Sequence, residues 1–338
     1  MTETAAYTLA VPPLFAALAP ARDVLIAGAG GGFDIYAGLP LALALWQAGK
    51  RVHLASLSFS ELELVDRQVW VDEHVAAIRP DTLSPDWYFP EAHLARWLAG
   101  RDLPSTVYAF PPLGVQPLRE AYRHLVDRLD LDAIVLVDGG TDILLRGDES
   151  GLGTPVEDIT SLAAVAGLDV PVRLVSSLGF GIDAHDGVNH VEVLENLAAL
   201  DREGGYLGAL SIPGSSREAV LYREAVAQAQ AATPHRPSIV QGQIAAATGG
   251  AFGDVRFSRR TGHGDLFVNP LMAIYFSVTC PGSPPAASTS TGSRTRSGGV
   301  RSSPASRRSA TSCGPPGCPG RIRTDGHGMS YRCGRVRA

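Results

Sequence analysis

Short, continuous apolar runs alternate along this chain with longer segments whose apolar positions recur every three or four residues. Val24-Leu25-Ile26-Ala27, Arg51 to Leu57, Thr106 to Phe110, Ala133 to Val137 and Val172 to Val175 have the length and composition of buried strands. The first is followed by a glycine loop and a helix expected from Ile35 to Ala48, closed by Gly49. Glu91 to Leu98 reads as a second helix. Leu118, Ala121, Tyr122, Leu125, Val126 and Leu129 form the stripe of an amphipathic third. Thr154-Pro155-Val156-Glu157 reads as a capping box with Pro at the first helical position, opening a helix that ends at Gly167. Further helices are expected over Val191 to Leu200 and 217–232, and a strand over Ser238 to Val240. Buried strands separated by helices predict an α/β domain whose mainly parallel sheet is covered on both faces. Ligands of such sheets bind beyond the carboxyl ends of the strands.

The pattern stops at about Val278. From there to Ala338, Ser, Arg, Pro, Gly and Thr follow in no periodic order, and all four cysteines (Cys280, Cys313, Cys318, Cys333) lie in this stretch. It holds ten of the chain's 29 basic and one of its 34 acidic residues, so it carries +9 and residues 1–277 carry −14. Such a segment cannot bury enough apolar surface to offset its chain entropy, and disorder is expected. An arginine-rich arm for nucleic acid is one reading. A zinc site is another, but Cys313-x4-Cys318 with a distant Cys333 is a poor ligand spacing. A shifted reading frame is the third. Lys50 is the only lysine, as in GC-rich coding, and a shifted frame of such DNA yields Arg, Pro, Gly, Ser, Thr and Cys. This third reading accounts best for the composition, so no function is assigned to 278–338. The expected organisation is an N-terminal arm over 1–22, one domain over 23–277, and the tail.

The acidic body repels phosphate backbones, which argues against a nucleic-acid partner. Met1-Thr2-Glu3 lacks the basic start of a secretory signal. The uncharged run from Ile35 to Gly49 is too short and too broken by Gly and Pro to span a bilayer. With no cysteine before the tail, a cytoplasmic protein without a membrane partner is expected. Trp87-Tyr88-Phe89-Pro90 could form a lid or the subunit contact of a homo-oligomer.

Three loops at strand ends carry the candidate chemistry. Gly28-Ala29-Gly30-Gly31-Gly32-Phe33-Asp34 lets a ligand approach backbone amides at a helix start. Phe33 replaces the third glycine of a dinucleotide fingerprint and no acid ends the second strand, so NAD is not expected. Asp34 either caps the helix or meets the ligand. In Asp138-Gly139-Gly140-Thr141-Asp142, two carboxylates across a Gly-Gly turn can converge on a hard cation, Mg²⁺ or Mn²⁺, and Arg146 could answer an anion. The third loop, Ser176 to Gly187, offers Asp183 and His185 for proton transfer. Gly204-Gly205-Tyr206-Leu207-Gly208 reads as a glycine turn.

These loops, with Leu39-Pro40-Leu41 behind the first and Gly147-Asp148-Glu149 behind the second, resemble a known family in order over about 23–277. It is the bacterial and archaeal family catalogued as domain of unknown function 1152. The resemblance implies a Rossmann-like, three-layer α/β sandwich and supplies no reaction. Members continue past the Asn269-Pro270 region into further ordered chain, whereas this sequence departs at about Val278. From the loops, the expected function is metal-assisted catalysis on a small phosphate- or carboxylate-bearing ligand. Asp138 and Asp142 would hold the metal, and Gly28, Gly30, Gly31, Gly32, Asp34, Gly139 and Gly140 would border the ligand. Asp183 and His185 would move protons. The alternative is a non-catalytic nucleotide- or metabolite-binding module.

Overall fold

The computed structural model describes residues 7–84, 88–255 and 266–282. Its strands are β1 (Asp23–Gly28), β2 (Arg51–Leu57), β3 (Trp70–Asp72), β4 (Val75–Ile78), β5 (Val107–Phe110) and β6 (Ala133–Asp138). They continue with β7 (Val172–Leu178), β8 (Tyr206–Ser211), β9 (Gly253–Val255), β10 (Leu266–Val268) and β11 (Ile274–Thr279). The helices are α1 (Pro13–Leu18), α2 (Asp34–Ala37), α3 (Leu39–Gln47), α4 (Pro90–Ala99) and α5 (Val115–Leu129). They are followed by α6 (Val156–Ala166), α7 (His190–Arg202), α8 (Arg217–Ala232) and α9 (Ile239–Thr248).

Nine strands form one sheet in the order β3-β4-β5-β2-β1-β6-β7-β11-β8, and β9 pairs with β10 apart from it. The five central strands, β5 to β7 in that order, are parallel. Antiparallel strands flank them: β4 and β3 on one side, β11 and β8 on the other. The chain runs outward from β1 through β2 to the edge strand β3, comes back through β4 and β5, then crosses to β6 on the other side of β1. The carboxyl ends of β1 and β6 therefore flank the switch point, where such sheets bind ligands.

Strand residues alternate between two apolar layers. Val24, Ile26, Val52, Leu54, Val135 and Val137 pack with α1, α3, α4, α8 and α9. Leu25, Ala27, Ala55, Leu57, Ile134 and Leu136 pack with α5, α6 and α7. Every residue of β1 and β6 is buried, which is why these strands read as continuous apolar runs. Each such Val, Leu or Ile removed from water contributes ~1.5–3 kcal/mol. The three-layer α/β sandwich expected above is thus the fold. No described helix is long and apolar enough to cross a membrane.

Several local expectations need correction. The helix from Ile35 to Ala48 is two helices, because the chain turns at Gly38 and Pro40 enters the first turn of α3. The capping box at Thr154 does not form: α6 follows Pro155 without a side-chain cap, and the Thr154 amide donates instead to Asp142 Oδ2 at 3.0 Å. Ser238 to Val240 is not a strand. Ser238 caps α9 by accepting from the Gln241 amide, an arrangement a short β-branched run does not reveal. Tyr206-Leu207-Gly208 lies in β8 rather than in a turn.

The tail also begins later than Val278. β11 runs to Thr279, Val278 packs in the layer of α5, and Cys280 is buried beside it. Its pairing with β7 and β8 supplies the order that composition alone did not signal. The remaining tail, with Cys313, Cys318 and Cys333, lies outside the described residues, as do Trp87 of the lid candidate and Gly262 to Asp265.

Candidate functional site

Parallel pairing of β1 with β6 sets Gly28 opposite Val137, so the first two loops leave the sheet side by side. Ala29 N donates to Val137 O at 2.9 Å and joins them. Asp34 opens α2, and its Oδ2 accepts from Gly30 N at 2.8 Å, which turns the carboxyl back over the glycine loop. Asp34 also reaches the second loop, where a Cβ at Gly139 would sit 3.1 Å from its Oδ1. Asp138 ends β6. Asp158 lies in the first turn of α6, a helix tied to the glycine loop by Ser161 Oγ donating to Ala29 O at 2.8 Å. One carboxylate oxygen each from Asp34, Asp138 and Asp158 falls within 4.8 Å of the others.

Two further aspartates border this trio. Asp142 opens the 3-10 turn Asp142–Leu144 and accepts from Thr154 N. Asp183 lies in the 3-10 turn Ile182–Asp186 after β7, and its Oδ2 accepts from Thr141 N at 2.6 Å and Thr141 Oγ1 at 2.8 Å. Glycine is needed where the carboxylates close in. A Cβ at Gly30 would sit 2.5 Å from Asp34 Oδ2 and 2.6 Å from Asp158 Oδ2. One at Gly140 would sit 2.8 Å from Asp183 Oδ1. Gly31 and Gly32 face away from the acids, toward Phe59 and Tyr88.

Asp138, Asp142, Asp158 and Asp183 are buried, and Asp34 keeps partial exposure. Burial first, then mutual repulsion, drives their proton affinities up. Asp34 is pushed to about 8, by burial and by Asp142. Burial and Asp142 likewise push Asp183 to about 6, against the pull of Thr141. Asp138 and Asp158 rise well above the carboxylate range, chiefly by burial, with Asp158 acting on the first and Asp34 on the second. Asp142 rises by burial, opposed by backbone amides. Among the described residues no Arg or Lys forms an ion pair with any of the five. Asp138 Oδ2 and Asp158 Oδ1 are buried with no hydrogen-bond partner among the described residues, and so is Gln241 Nε2. Five crowded acids cannot all ionise unless a cation neutralises them; otherwise some keep their protons.

The structure therefore gathers Asp34, Asp138, Asp142 and Asp183 with Gly28, Gly30, Gly139 and Gly140. It does not gather His185, which is exposed, with its Nδ1 3.6 Å from the neighbouring Asp186. Arg146 is also exposed, 3.9 Å from Asp148. Glu149 binds the amides of Arg146 and Gly147 and the side chain of Asn196; these outweigh its partial desolvation and hold it at about 2.

Asp158 and Gln241 were missed. Asp158 carried a usable signal, because it shares the buried face of α6 with Ser161 and Val165, three and seven residues on. An acid in phase with a core stripe needs a partner. Gln241 carried none, because its segment reads as a strand.

The sequence profile of the family described as a protein of unknown function (DUF1152) matches residues 25–281, past Val278 and over most of the chain. No curated protein matches it.

Proposed function

The chain belongs to the DUF1152 family, and we propose that it is an enzyme using a divalent cation, Mg²⁺ or Mn²⁺, on a small phosphate- or carboxylate-bearing metabolite. The observation that carries this reading is the trio Asp34, Asp138 and Asp158, with oxygens within 4.8 Å and two buried oxygens unpartnered. Hard cations take several carboxylate oxygens in this way. When bound, the cation would neutralise charge on the anionic group and polarise the bond being broken. The chain's own parts have separable tasks. Asp34, Asp138 and Asp158 hold the cation, and Asp142 adds negative charge beside it. The glycines at 30, 139 and 140 keep side chains out of the ligand's approach. Thr141 fixes Asp183 through Oδ2, which leaves Oδ1 to take or give a proton. His185 has no part in this arrangement.

Titration of the protein with Mn²⁺ by calorimetry, alongside Asp138→Asn with Asp158→Asn, tests the reading. Affinity should fall at least about 100-fold in the double variant, since two of three ligands lose their charge. Equal affinity in the two proteins would remove the metal assignment. NMR on a panel of phosphorylated and carboxylated metabolites then tests catalysis. Binding without consumption of any of them would favour a non-catalytic binding module.

A further inference from the structure

The helix that replaces the strand expected at Ser238 brings Gln241 over the acidic crevice. Ser238 Oγ accepts from Gln241 N at 3.1 Å and fixes the first turn of α9. Gln241 is only 1% exposed. Its Oε1 accepts from the Tyr222 hydroxyl at 2.7 Å, which commits that side of the amide to α8. The other side faces the loop after β6. A Cβ at Gly139 would lie 2.8 Å from Gln241 Nε2 and 3.1 Å from Asp34 Oδ1, so amide and carboxylate converge on the same glycine. Nε2 nevertheless has no hydrogen-bond partner among the described residues. A buried donor left so is destabilising, and in folded proteins a ligand or ordered water commonly accounts for it.

We propose that Gln241 orients the ligand: its Nε2 donates to an oxygen of the anionic group that the cation on Asp34, Asp138 and Asp158 draws in. This rests on the cation site proposed above. The chemistry suits a neutral donor. A lysine or arginine here would compete with the cation for the same carboxylates, whereas an amide N–H donates to an oxygen anion without that competition. Tyr222 holds the amide in place, so the donor is aimed before the ligand arrives and little rotamer freedom is lost on binding.

The test uses the full chain saturated with Mn²⁺, titrated with inorganic phosphate and followed by paramagnetic broadening of the phosphorus resonance. Gln241→Leu should leave Mn²⁺ affinity within about twofold and weaken phosphate at least about tenfold, the loss of one hydrogen bond to a charged group. Gln241→Met, close in length, serves if Gln241→Leu does not fold. Phosphate affinity unchanged in either folded variant would overturn the assignment. So would a manganese-loaded parent chain that does not bind phosphate. Failure of the parent chain to bind Mn²⁺ would sink the cation site itself, and this inference with it.

Discussion

Asp23 and Asp138 sit at opposite ends of neighbouring parallel strands, and both are buried, at 3% and 4% exposure. Their surroundings push them in opposite directions. Arg51 Nε donates to Asp23 Oδ1 at 2.5 Å, its Nη2 meets Oδ2, and His53 approaches to 3.7 Å. Arg51 holds the Asp23 carboxyl below its ordinary range. Among the described residues no cationic side chain pairs with Asp138, and burial together with Asp158 drives it far above that range. Glu91, in the first turn of α4, is intermediate. Burial pushes it to about 7, while the hydroxyls of Ser58, Ser60 and Ser56 partly offset that. Where the fold needs a buried acid only for itself, it supplies partners from its own chain. At the switch point it supplies more acids, an imbalance that a bound ligand would offset.

The largest effect expected from this contrast is on stability against pH. A carboxyl with a folded proton affinity of about 8, as for Asp34, against ~3.9 unfolded binds more protons when folded. Its contribution is therefore full below about pH 4 and is lost as pH rises toward 8. Without divalent cation the protein should lose several kcal/mol of stability between pH 5 and 8, at ~1.4 kcal/mol per pKa unit. Asp23 has the opposite sign: its stability is present above ~3.9 and is lost only as pH falls through its lower folded value. It gives no slope between pH 5 and 8. Glu91 adds slope of the same sign as the crevice. Asp138→Asn with Asp158→Asn should therefore reduce the slope by the share of those two acids and leave the shares of Asp34, Asp183 and Glu91. Melting curves by circular dichroism, with and without Mg²⁺, read all three. Stability that rises from pH 5 to 8 in the cation-free parent would break the contrast.

Gly30→Ala tests whether the geometry of the crevice matters as well as its charge. The added methyl meets oxygens of both Asp34 and Asp158 below 3 Å and must push them apart. Mn²⁺ affinity should fall about tenfold or more, equivalent to ~1.4 kcal/mol. Gly49→Ala is the control. Gly49 has φ +78 and open space around it, so it should lose ~1 kcal/mol of stability with Mn²⁺ affinity unchanged.

The sequence made Asp34, Asp138, Asp142 and Asp183 legible because each follows a strand that reads as a continuous apolar run. The α/β alternation that fixed their positions is a local property of the chain. What convergence adds is not local. Asp158 is brought in by packing of α6 on the glycine loop, and Gln241 by α9, whose start depends on Ser238 capping its own turn. His185 misled because a histidine among acids has the same sequence whether its loop turns inward or outward. Val278 and Cys280 were assigned to the tail because composition beyond them is aperiodic, whereas β11 is held by partners far away in sequence.

The smallest effect belongs to the other end of the sheet. Asp23→Asn removes the charge that Arg51 meets, but Arg51 is 60% exposed, so the pair contributes little beyond ~1 kcal/mol. The backbone there stays anchored, because Asp132 Oδ2 accepts from the amides of both Arg22 and Asp23. β1 separates the two ends by roughly 3.3 Å per residue along its length, well over the ~8 Å screening length of physiological salt. Asp23→Asn should therefore lower the melting temperature slightly and leave Mn²⁺ affinity unchanged. A change in Mn²⁺ affinity beyond about twofold would mean that the sheet couples its two ends mechanically, since screened charge does not carry that far.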